Sequence, residues 1–253
     1  MKTRRTLTVA AALLAGLTAQ PMAQRGPAPG ASRLPADVLG QLCAPKTALD
    51  LPDQSLRVTG GQDVSRRVLY SPDDLVTVSG GTQNGIEVGQ EYFVRRVQFS
   101  EGRRVTYDNP ASIRTAGWIK IYAVDETMSL ATVEYACDTL NVGDYLAPFE
   151  LPILPRPVAL GKPQRGNYGK ILFGNDRRNT FAKGDYFIID RGSDHGVTHS
   201  ARFVVYRDKR LPENFLFELG EAVVVEVRPE TSTLQATLAR DAFMAGDYVA
   251  IRK

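Results

Sequence analysis

From about Leu56 onward the chain reads as short runs of β-branched and aromatic residues, separated by Gly, Asn and Asp. No stretch in this region repeats its apolar positions at i, i+3, i+4 and i+7 as a helix would. The pattern predicts strands over 56–59, 67–70, 75–78, 92–99, 118–124, 130–136 and 145–147. A second series follows over 170–173, 186–190, 202–207, 221–227, 234–238 and 248–252. So many short strands without crossover helices must pair mainly antiparallel. Small sheets protect their edges best by curling closed. The expected fold is therefore all-β: two small antiparallel β-barrels in series.

The two series carry the same text. Asp74 to Arg96 (DLVTVSGGTQNGIEVGQEYFVRR) lies over Asp185 to Arg207 (DYFIIDRGSDHGVTHSARFVVYR) without a gap. Asp74/Asp185, Gly81/Gly192, Gly85/Gly196, Val94/Val205 and Arg96/Arg207 are identical across the pair. A second matched block runs from Gly117 to Tyr145 and from Gly220 to Tyr248. We expect an internal repeat of one β module. Its matched positions are turn glycines and apolar strand residues rather than reactive side chains.

The flanks divide the chain. Lys2, Arg4 and Arg5 precede an apolar run from Leu7 to Leu17 and a small-residue exit, the layout of an export signal cut near Ala23. That run is too short for a stop-transfer helix, so no stable membrane insertion is expected. Residues 24–55 read as a flexible tether and a short helix from Ala36 to Cys43, with Ser32 or Asp37 as its cap. The first barrel is assigned to 56–149 and the second to 168–253. Residues 150–167 hold Pro152, Pro155, Pro157 and Pro163 and form a stiff spacer. Leu151, Ile153 and Leu154 are expected to pack along a barrel wall.

Charge and cysteine usage set the compartment and exclude some partners. The chain has 31 Lys and Arg against 28 Asp and Glu. Removing the leader takes Lys2, Arg4 and Arg5 and leaves a formally neutral chain. Nucleic acid needs a net or clustered positive field, so it is excluded as a partner. Cys43 and Cys137 are an even pair in an exported chain and therefore a disulfide candidate. Chain entropy alone assigns such a bond about 4–5 kcal/mol. The alternative is two buried thiols.

Candidate chemistry is sparse. Gly143-Asp144-Tyr145, Gly184-Asp185-Tyr186 and Gly246-Asp247-Tyr248 read as structural turns. The glycine supplies a positive φ, and the Asp bonds the backbone two residues on. A calcium loop would need oxygens at alternate positions, and that spacing is missing. Gly81-x-x-x-Gly85 and Gly192-x-x-x-Gly196 read as arches between strands, with Asn84 and His195 before the second glycine. His195 and His199 sit where a turn becomes a strand, about 13 Å apart, so they read as surface residues rather than metal ligands. No Gly-x-Ser-x-Gly elbow is present, and no catalytic, metal or cofactor site is assigned. Trp118, Tyr122 and Tyr135 lie on strands and form a candidate sugar-stacking face, although core or edge packing is the commoner fate of such residues.

The second copy resembles a known family. A Gly-Lys-Ile-Leu strand from Gly169, a Gly-Asp-Tyr strand from Gly184 and Asp-x-Gly-x-x-x-Gly-Val from Asp190 to Val197 carry the likeness. Phe203 to Arg207, Leu219 to Ala222 and Gly246 to Val249 complete it. Together they are similar to the small β-barrel at the C-terminus of the flagellar assembly protein T family, a domain also found after LysM modules in bacterial envelope proteins. Residues 168–253 carry the resemblance, and 68–149 carry it more weakly. Ser200-Ala201 stands where the family has Gly-Asp, while Gly89 is retained in the first copy. The resemblance and the leader imply a periplasmic or secreted, non-enzymatic structural or interaction module. Its expected partner is an envelope protein or a second copy of itself. The alternatives are a peptidoglycan-binding module using Trp118 and nearby tyrosines, and an enzyme with a site between the barrels.

Overall fold

The computed structural model describes residues 34–62, 67–99, 105–106, 110–159, 161–164, 166–209 and 215–252. The expected leader, the tether through residue 33 and the Ser32 cap lie outside them. The described chain is mostly β. Its first series is β1 (Lys46–Ala48), β2 (Val58–Gly61), β3 (Leu69–Tyr70), β4 (Leu75–Ser79), β5 (Glu91–Gln98), β6 (Ala111–Val124), β7 (Met128–Ala136), β8 (Leu140–Asn141) and β9 (Tyr145–Pro148). The second is β10 (Gly169–Gly174), β11 (Thr180–Phe181), β12 (Tyr186–Ile189), β13 (Arg202–Asp208), β14 (Leu216–Val227), β15 (Ser232–Ala239), β16 (Phe243–Met244) and β17 (Tyr248–Ile251). Every predicted strand has a counterpart here. β6 starts at Ala111, well before the predicted Trp118. Its opening residues are small and polar, so their strand signal is weak, and pairing with β5 and β1 holds them extended.

β10, β12, β15, β14, β13 and β17 close in that order into a six-stranded antiparallel barrel. The first series forms a seven-stranded sheet, ordered β2-β4-β7-β6-β5-β9 with β1 added on β6. Its end strands also meet: Arg57, beside β2, bridges Tyr145 of β9, and the Leu146 amide donates to the Leu56 carbonyl at 2.9 Å. The order of neighbours is the same in both sheets. Each has a two-stranded flap as well, β3 with β8 and β11 with β16.

Alternation along the strands fills each interior. Val76 and Val78 of β4 point into one apolar cluster with Ile119, Ile121 and Val133. Phe187 and Ile189 of β12 point into the other with Val205, Val224 and Leu234.

The matched glycines solve two backbone problems. A Cβ on Gly81 would collide with the Asp125 carbonyl, and one on Gly192 with the Arg228 carbonyl. These glycines let each arch lie flat on the neighbouring hairpin turn, where Thr82 and Ser193 amides donate to those same carbonyls at 2.9 Å. Gly143, Gly184 and Gly246 instead run at φ 93, 92 and 90, where any side chain is strained. The aspartate after each of them bonds three residues back, not two residues on as expected. Asn141, Ala182 and Met244 amides donate to Asp144, Asp185 and Asp247. An arginine closes each turn from outside. Arg96 grips Asp144 through Nε and Nη2 at 2.7 and 2.8 Å, and Arg207 grips Asp247 the same way at 2.9 and 2.7 Å. Both aspartates are buried, at 3% and 6% exposure.

From residue 34 the N-terminal segment packs on the sheets that follow it. Helix α1 spans Ala36–Leu42 and starts at Pro35 without a side-chain cap. The Asp37 carboxylate takes the adjacent Val38 amide rather than capping the first turn. No helix among the described residues is long and apolar enough to cross a membrane. After α1, β1 joins the first sheet while the same residues bond the barrel. Thr47 and Thr231 hydroxyls meet at 2.5 Å, Thr233 donates to the Pro45 carbonyl at 2.8 Å, and Asn175 donates to the Cys43 carbonyl at 3.1 Å. Gln41 bonds the Val225 and Ile153 carbonyls, both at 3.0 Å. Cys43 and Cys137 form the expected disulfide, which ties the arm to the end of β7.

The spacer after β9 is bonded along its length. Arg156 donates its amide to Ser200 Oγ at 2.9 Å, and Pro163 bridges Arg252. Leu151, Ile153 and Leu154 are exposed instead of packing on a wall. Backbone hydrogen bonds, not apolar burial, hold this segment.

Candidate ligand site

The arm, spacer, first sheet and barrel enclose a cleft of about 690 Å³. Alternation on β5 sends Val94 into the sheet interior and leaves Phe93 and Arg95 on the outer face, toward the arm. Phe93 packs with Leu42 and Trp118 in a third apolar cluster. Arg95 lies over the Phe93 ring, its guanidinium carbon 4.3 Å from the centroid. β1 contributes Lys46, and β14 contributes Glu226. The same cleft is lined by Glu150 and Ile153 from the spacer, His199 from the turn before β13, and Arg228. A second cavity of about 530 Å³ shares Arg95, Ala147, Pro148 and Arg228 with the first.

The charges in the cleft are unequally matched. Glu226 takes both Lys46 and Arg228, each at 2.8 Å. Burial pushes the Glu226 carboxyl up, but the two cations outweigh it and hold it below the usual carboxylate range. Burial pushes the Lys46 ammonium down, with Glu226 opposing. Burial also pushes Arg95 down. No carboxylate among the described residues lies within ion-pair reach of Arg95, and its Nε is sealed from solvent without an acceptor. His199 Nε2, on the same cleft, is also sealed and unpartnered.

The candidate aromatic face is not assembled. Trp118 is 4% exposed, stacked on Tyr135 at 4.6 Å and tilted against Phe149 at 5.5 Å, under α1. Tyr135 is half-buried, and Tyr122 is 67% exposed further along β6. Helix α1 of the arm covers the indole, so no open platform for a sugar ring exists there.

The glycine and aspartate positions singled out in the sequence all fall in turns. Gly85 and Gly196 end the two arches at φ 74 and 76. Asn84 accepts the Gly81 amide, and His195 Nδ1 accepts the Gly192 amide, both at 3.2 Å. His195 is thus a turn-capping acceptor, in the same position as Asn84. Among the described residues no group of three His, Cys, Asp or Glu side chains is placed to hold a metal ion. The cleft cations were missed by sequence reasoning. Lys46, Arg95 and the Glu226–Arg228 pair are far apart in sequence and belong to no motif. The signal available was an arginine at an outward strand position beside Phe93, which any solvated strand face would also show.

The chain matches no known protein-family model and no curated protein.

Proposed function

We propose that this chain is an exported, non-enzymatic envelope protein that works as a rigid two-part interaction module. In this reading one β-barrel module was duplicated, and both copies belong with the C-terminal barrel of the flagellar assembly protein T family. The matched strand order and the paired Arg96–Asp144 and Arg207–Asp247 clamps support duplication. The observation that carries the functional reading is the arm. Residues 41–47 bond both the first sheet and the barrel, so the two parts present one fixed seam with a cleft in it. Fixed relative placement suits a scaffold that offers a composite surface to another envelope protein or to a second copy.

In-cell photocrosslinking tests this reading. A photoreactive residue replaces Ile153, which is 69% exposed at the mouth of the cleft. The expected product is a defined covalent adduct with one envelope protein or with the same chain, identified by mass spectrometry. Absence of any adduct in intact cells, with the protein correctly exported, would overturn it.

A further inference from the structure

We propose that the cleft is a binding site for a carboxylate carrying an apolar group, and that Arg95 is the residue that grips it. This rests on the interaction reading above and names the chemistry of its site.

Arg95 is the cation of this cleft with no ion-pair partner among the described residues. Lys46 and Arg228 are paired with Glu226, whereas Arg95 Nε meets no acceptor among the described residues. Withdrawing a polar group from water without a partner is costly unless a ligand completes it. Nε alone among its nitrogens is sealed, so the outer edge of the guanidinium remains open to the cleft. Phe93 fixes the plane of the fork from one side. A fixed planar fork matches the two oxygens of a carboxylate.

The remaining walls select the rest of the ligand. Leu42, Phe93, Ala147, Pro148 and Ile153 give an apolar lining beside the arginine. A volume near 690 Å³ falls in the range of small-molecule sites, roughly 300–1,000 Å³. Three cations, Lys46, Arg95 and Arg228, face two carboxylates, Glu150 and Glu226, which leaves an excess of one positive charge. That excess suits a monoanion better than a phosphate dianion, which would need several open donors. His199 Nε2 supplies a second orphaned polar atom in the same lining.

Calorimetric titration of the full mature chain tests the assignment. The probes are phenylacetate, phenylacetamide, inorganic phosphate, and the dipeptide acetyl-Leu-Phe as free acid and as amide. Both acids should bind, with the two amides and phosphate at least tenfold weaker. Arg95→Gln should weaken the acids at least tenfold while leaving Trp118 emission and the melting temperature unchanged. If Arg95→Gln fails to fold, Ile153→Glu, at an exposed position, should abolish acid binding by placing a carboxylate in the mouth. A tighter dipeptide acid identifies a partner's chain terminus as the source, and a tighter phenylacetate identifies a free small acid. Absence of binding by both acids, equal binding of acids and amides, binding of phosphate alone, or an unchanged affinity in Arg95→Gln overturns the proposal. The titration needs no cellular partner, so its failure and that of the crosslinking experiment are read separately.

Discussion

At Gly246 the backbone runs at φ 90, and nothing lies within 4 Å of where a Cβ would point. Any cost of a side chain there is purely conformational. Gly246→Ala should therefore lower stability by about 1–2 kcal/mol in urea denaturation, and Gly246→Asn by less, because Asn tolerates the left-handed region. Such turn positions were legible in the sequence, because glycine followed by Asp and Tyr recurs at each. Their arginine partners were not. Arg96 and Arg207 match in the aligned blocks, but each meets its aspartate only after the chain has crossed several strands. The cleft has its own single-residue test. Glu226 has a folded pKa below its unfolded value, so its contribution is present above the unfolded value, about 4.3, and is lost as pH falls through the folded one. Glu226→Gln should cost about 2 kcal/mol at pH 7, by stranding Lys46, and should flatten the loss of stability below pH about 4.

The arm shows most plainly what an element can hide. Its α1 helix was foreseen, but β1 was not. A three-residue strand has no period to detect, and its partner β6 lies more than sixty residues on in sequence. The consequence for Trp118 followed. On strand grounds it was a candidate for ligand stacking, and only the covering arm makes it a buried core residue. The chain has a single Trp, so the indole reports on the arm directly. Replacing Cys43 and Cys137 together by Ala should lower stability by about 4 kcal/mol. It should also shift Trp118 emission to longer wavelength as the arm lifts, read as fluorescence against denaturant. A stability loss without a spectral shift would mean that β1 pairing alone retains the arm.

At the scale of the whole molecule, the two sheets could each enclose a separate apolar cluster and unfold independently. The arm opposes this, because its hydrogen bonds are divided between them. The intact chain should melt in one calorimetric transition, and a chain beginning at Leu56 should melt in two. The strands themselves and their antiparallel pairing were readable from alternation and turn glycines. The relation between the sheets was not, since it is written in backbone carbonyls at Pro45, Ile153 and Val225 that leave no mark in residue identity.

The partners of the arm also order events in time. Its anchors at residues 41–47 precede their barrel partners at 225–233 by most of the chain, so any molecule delivered from its N-terminus makes the clasp first and can fasten it only at the end. Until then Lys46 lacks Glu226, and Gln41 lacks its carbonyls. Cys137 arrives much earlier than the barrel, so oxidation can hold the waiting clasp beside β6. A reducing compartment should thus slow the last step of assembly as well as weaken the finished protein.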